Sequence, residues 1–138
     1  MIKLILVLIV GVATLLAVGE CGVMPATMKQ ATAKLRQECI EKTGAAEDAI
    51  DNASKGIFAE DDKLKCYFKC IFEELTVFDE SGKVNYDIIL EMLPEEAKEV
   101  GQKIIDDCKD TTGKDLCELA YNINRCAYDS NPQIYFAI

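Results

Sequence analysis

Apolar residues recur at spacings of three and four along nearly the whole chain, and no stretch alternates strictly enough to make a strand. The pattern predicts six helices. The first covers 24–42 and closes at Thr43 and Gly44, glycine being the residue that most readily adopts the left-handed turn at a helix end. A short second helix covers 45–54. The third, over 63–77, is the most apolar: Leu64, Tyr67, Phe68, Ile71, Phe72 and Leu75 form one stripe, and Asp61 or Asp62 is placed to cap it. It is expected at the centre of the fold. A fourth helix over 86–92 stops ahead of Pro94, because a residue before proline is pushed out of the helical region. The fifth, 94–109, starts on that proline with Glu95 and Glu96 at the positive end of its dipole. The sixth, 114–128, presents Leu116, Leu119, Ala120, Ile123 and Ala127 on one face before Asn131 and Pro132 break it. The expected fold class is all-α.

Upstream of this pattern, Lys3 precedes an almost wholly apolar run from Leu4 to Leu16, and Ala17-Val18-Gly19 offers a small-x-small cleavage site. Residues 1–19 therefore read as a signal peptide and 20–138 as a single secreted domain. The apolar run is shorter than the roughly 20 residues that a membrane span needs. The chain carries a formal charge of -9, which argues against nucleic acid or an anionic membrane as a stable partner. It has no histidine, so the commonest general base, the usual triads and imidazole zinc sites are all ruled out. No catalytic group, metal or cofactor is expected. The loop 79–83 invites comparison with a calcium loop, but its glycine would put Val77 at the first ligand position. Asn52-Ala53-Ser54 is a glycosylation sequon.

Seven cysteines, at 21, 39, 66, 70, 108, 117 and 126, imply a disulfide framework in a secreted chain of this length. Cys66 and Cys70 lie one turn apart on one helix, which strains a bond between them. Cys117 and Cys126 lie on opposite faces of a continuous helix about 13 Å apart along its axis, too far to join. Several pairings remain open. Cys21 is an odd thiol: it could leave with the leader or pair with a second copy to give a homodimer.

The gaps between the six cysteines from Cys39 onward are 26, 3, 37, 8 and 8 residues. That spacing resembles the six-cysteine signature of insect odorant-binding proteins, and the run from Phe78 to Val84 looks like the turn that follows their third helix. The resemblance implies pairs Cys39–Cys70, Cys66–Cys117 and Cys108–Cys126, and six helices around an apolar pocket. Disulfides can hold such a cavity open where a small core would otherwise lose contacts lining a void. It further implies an odorant or pheromone as ligand, an olfactory receptor as downstream partner and sensillar lymph as the location. The same fold could also serve in haemolymph, saliva or reproductive fluid. A helical signalling protein with a filled core is the contrasting class.

By resemblance, the positions flanking the third cysteine, Phe68 and Phe72, together with Val77 and Val84, line the pocket. Ile88, Ile89 and Met92 on the fourth helix, Val100 and Ile104 on the fifth, and Ala120 and Ile123 on the sixth are expected to complete it. Five largely apolar residues end the chain, and Tyr135 and Phe136 among them are expected to cover or enter the pocket. Tyr67, Thr76, Tyr86, Asn122 and Tyr135 could each donate one hydrogen bond to an alcohol, aldehyde or ester.

Overall fold

The computed structural model describes residues 26–138, with side chains from Lys29 onward. The leader, Cys21 and the expected helix start at Met24 lie outside the described residues. Six helices follow in order: α1 Ala26–Thr43, α2 Glu47–Ala53, α3 Asp62–Glu74, α4 Tyr86–Met92, α5 Glu95–Cys108 and α6 Leu116–Ser130. An isolated antiparallel bridge joins Phe78 to Val84 and closes the turn between α3 and α4. Asp79 holds that turn, one carboxylate oxygen accepting from the Ser81 and Lys83 amides and the Ser81 hydroxyl. These bonds pull the Asp79 carboxyl below the usual carboxylate range.

Two ends differ from the periodicity, each for a local reason. The helix expected to reach 77 stops at Glu74, because Thr76 takes the left-handed conformation at φ 57°. The Val77 amide then bonds back to the Phe72 carbonyl at 2.8 Å and the Thr76 amide to that of Glu73 at 3.0 Å. This is a Schellman closure with a β-branched residue where glycine is usual. Thr76→Gly should stabilise the protein by about 1 kcal/mol, the relief of strain exceeding the added freedom of the unfolded chain. Urea denaturation would measure it.

At the other altered end, α6 begins at Leu116 rather than 114. The Asp115 carboxylate accepts from the Glu118 amide at 2.9 Å, while the Glu118 carboxylate accepts from the Lys114 amide at 2.8 Å. The two residues cap each other's chain segment, which fixes the start.

Helix α3 lies at the centre, packed against α1 on one side and α6 on the other; α5 packs on α6, and α4 on α5. The contiguous core is built from α1, α2, α3 and α6, around Cys39, Ile50, Leu64, Tyr67, Phe68 and Tyr121. Its aromatic rings meet edge to face: Phe58 stands 5.7 Å from Tyr121 at 87°, and Tyr67 stands 5.7 Å from Phe68 at 68°. Such pairs add to the burial of the rings themselves. Lys65, only 8% exposed, bonds Glu60 at 2.7 Å and lies 5.3 Å from the Tyr121 ring centre, joining α3, α6 and the 57–61 segment.

Disulfides join Cys39 to Cys70, Cys66 to Cys117 and Cys108 to Cys126. They fasten α3 to α1, α3 to α6 and α5 to α6. No described helix is long and apolar enough to cross a membrane.

Candidate functional site

The apolar residues fall into two sets. The first is the packed core just described. The second lies outside that cluster: Val77 after α3, Ile105 and Cys108 on α5 and Ile123 on α6 are buried, yet none belongs to it. Val84, Ile88, Ile89, Val100 and Ile104 are half-buried and also stand outside the cluster. Helix α4 has no buried residue at all, and its main packing partner is α5. The two helices approach closely at Gly101, where a methyl group would come within 2.3 Å of Leu93 Cδ1. Among the described residues, the half-buried apolar side chains of α4 are among those left outside the core cluster.

The residues named from the sequence divide between these sets. Val77, Val84, Ile88, Ile89, Val100, Ile104 and Ile123 fall outside the core cluster, as does Met92, 39% exposed. Phe72, half-buried, packs against the core cluster with its ring 5.5 Å from Phe78. Phe68 and Ala120 are core: Phe68 is 2% exposed, among Tyr67, Tyr121 and Phe58. Tyr121, fully buried and bonded through its hydroxyl to the Phe58 carbonyl at 3.1 Å, is a central residue that the helical face read from α6 left out. The sequence signal for it was weak, since its partner Phe58 lies in an irregular segment.

The tail folds back on the molecule. The Tyr135 hydroxyl donates to Asn124 Oδ1 at 2.9 Å, and the Ala137 amide donates to the hydroxyl oxygen of Ser54, the third residue of the sequon, at 3.0 Å. The Tyr67 hydroxyl donates to the Ile138 main-chain oxygen. The Tyr135 ring packs edge-on against Tyr128, centroids 5.7 Å apart, and Ala137 and Ile138 rest on the core. Phe136 instead faces outward, 49% exposed, and with Lys29, Ala33 and Arg36 borders a shallow surface groove of about 230 Å³.

Burial pushes the Tyr67 phenol up to about 12, and burial likewise raises that of Tyr135. Both are neutral in the folded state, so their contribution to stability is present below the ordinary tyrosine value near 10 and is lost as pH rises toward 12. The midpoint temperature of thermal unfolding should fall steeply across that window. Tyrosinate absorbance recorded alongside should show ionisation of the last phenols coinciding with the loss of structure.

The model of the PBP/GOBP family matches residues 23–130. The chain belongs to that family. Among its PBP/GOBP relatives, general odorant-binding protein 69a of Drosophila melanogaster is 34% identical over 103 residues, covering 74% of this chain and 69% of the relative. Odorant-binding protein 4 of Chrysopa pallens superposes with a TM-score of 0.74 at 34% identity, over 85% of this chain and all of that one. An odorant-binding protein of Locusta migratoria gives 0.73 at 30% identity, over 84% and 90%. Family and fold make the chain a small-ligand carrier and not an enzyme.

Proposed function

We propose that this odorant-binding-family chain is a secreted carrier of small apolar molecules, odorants or pheromones, held between the α4–α5 pair and the α3–α6 layer. The observation that carries the reading is the apolar surface of α4 and α5 left outside the packed core. Val77, Val84, Ile88 and Ile123 would line the ligand, Phe72 and Met92 would border it, and residues 131–138 would act as a lid anchored by Tyr135. The signal peptide at 1–19 delivers the carrier to the extracellular fluid, where an olfactory receptor would receive the ligand.

Displacement of a fluorescent apolar dye, N-phenyl-1-naphthylamine, tests the reading. Bright, saturable binding that apolar volatiles displace is the expected result, and no binding would sink it. Deleting residues 133–138 should speed ligand release severalfold; unchanged affinity and release for every ligand tried would remove the lid.

Affinity should be nearly flat between pH 6 and 7.5. The chain has no histidine, and Asp79, Glu60 and Asp107, held by hydrogen bonds, titrate below the usual carboxylate range. A large loss of affinity within that window, measured with the same dye, would contradict this.

A further inference from the structure

The chain has five asparagines, and the side chains of four are held within the fold. Asn85 accepts from the Asp87 amide at 3.2 Å, Asn122 donates to the Thr112 carbonyl at 2.9 Å, Asn124 donates to the Ala120 carbonyl at 2.8 Å, and Asn131 accepts from the Gln133 amide at 3.3 Å. The fifth, Asn52, makes no side-chain hydrogen bond among the described residues. No buried side-chain nitrogen or oxygen among those residues lacks a partner, so the unbonded amide of the half-buried Asn52 is open to solvent.

Asn52 stands in the last turn of α2, whose Ile50 and Ala53 are buried in the core while Asp48 and Asp51 are exposed. Its carbonyl accepts from the Lys55 and Ile57 amides, both at 2.9 Å, in the turn that closes the helix. That turn brings Ile57 to the same corner, 61% exposed and the barest large apolar side chain among the described residues. Two positions after Asn52, the Ser54 hydroxyl oxygen is taken by the Ala137 amide. It is not taken on the emerging chain, where Ala137, 83 residues further on, has yet to be made. The two side chains that the sequon requires are therefore both free when sugar transfer takes place, and only one of them is used by the finished fold.

We propose that Asn52 is a modification site, N-glycosylated during export by transfer of an oligosaccharide carried on a lipid pyrophosphate. The proposal rests on the export part of the reading above and not on the ligand. In the transfer the Asn52 amide nitrogen forms a bond to C1 of the first sugar and gives up one proton; the bond from C1 to the phosphate oxygen breaks, and the lipid pyrophosphate leaves. The sugar costs the fold no hydrogen bond, because the nitrogen it takes is unbonded. Rooted beside Ile57, it also covers an apolar side chain that water otherwise meets.

The test expresses the full 138-residue chain in insect cells, as the wild type and as Asn52→Gln, Ser54→Ala and Ser54→Thr, and compares medium and lysate on reducing, denaturing gels. The wild type and Ser54→Thr should run one step above Asn52→Gln and Ser54→Ala. They should drop level with them after a peptide N-glycosidase that accepts core-fucosylated sugars. Mass spectrometry of the treated wild type should then find aspartate at position 52, since the enzyme deamidates the asparagine it frees. A wild type in the medium that runs level with Asn52→Gln and is unchanged by the glycosidase overturns the proposal and leaves the carrier standing; Ser54 then serves the tail alone. A shift that survives in Asn52→Gln overturns it too, by placing the sugar elsewhere. A wild type absent from the medium and unshifted in the lysate removes export, and the proposal with it.

Discussion

Gly56→Ala will destabilise the protein by about 3 kcal/mol, combining a left-handed backbone with overpacking. Gly56 has φ +84°, a conformation that side chains other than glycine's adopt at a cost. A methyl group there would come within 2.4 Å of two ring carbons of Tyr128 and 2.7 Å of its hydroxyl oxygen. The Tyr128 ring cannot yield freely, because it stands between Phe58 at 6.1 Å and Tyr135 at 5.7 Å. Displacing it disturbs the anchor of the tail, so the variant should also release ligand faster. Urea denaturation measures the first effect. Combining Gly56→Ala with Tyr128→Ala separates the two causes: the steric part should vanish in the double variant and the backbone part should remain. A Gly56→Ala protein as stable as the wild type would show that the 55–61 segment shifts without cost.

Replacing Cys39 and Cys70 together by serine should cost about 2–5 kcal/mol, enough to unfold much of a small domain at physiological temperature. This bridge closes 31 residues and ties α1 to the central helix. Both cysteines are buried, at 0% and 7% exposure, so the substitution also places two hydroxyls in apolar surroundings. The same double serine at Cys108 and Cys126 should cost less in overall stability, because that loop spans 18 residues and Cys126 is only half-buried. It should instead loosen α5, raising amide exchange there ahead of α3. If the two pairs proved equal in denaturation, loop length and burial would not be what sets their worth.

Much of this fold could be read in the order of residues. The stripe through Leu64, Phe68 and Ile71 marks α3 as central because a face buried on both sides needs such a run. Asp61 could be named as a cap because its side chain reaches only the next turn, where it accepts from the Lys63 amide. What periodicity could not do was separate the core from the proposed ligand wall. Phe68 and Phe72 are four apart on one helix face, yet one is enclosed by rings from α6 and the 57–61 segment and the other is only half-buried, beside Phe78. Burial against protein and burial against a guest demand the same side chains. The tail was legible as apolar, but its bonds reach Asn124, Ser54 and Tyr67, which are 11, 83 and 71 positions away. No local pattern encodes partners at such distances. The end of α3 was missed for the opposite reason: Thr76 does the work of a glycine, and nothing in its identity announces it.

The separation of the apolar residues into two sets has a bearing on how such a chain can diversify. The residues that hold α1, α2, α3 and α6 together are not those of α4 and α5. On the proposed reading, exchanging Ile88, Ile89 and Met92 for larger, smaller or more polar residues should cost folding little and should change the range of molecules accepted. A gene copy freed from its original task could drift along α4 toward a new chemical niche, and the stapled half would carry it intact while it did so.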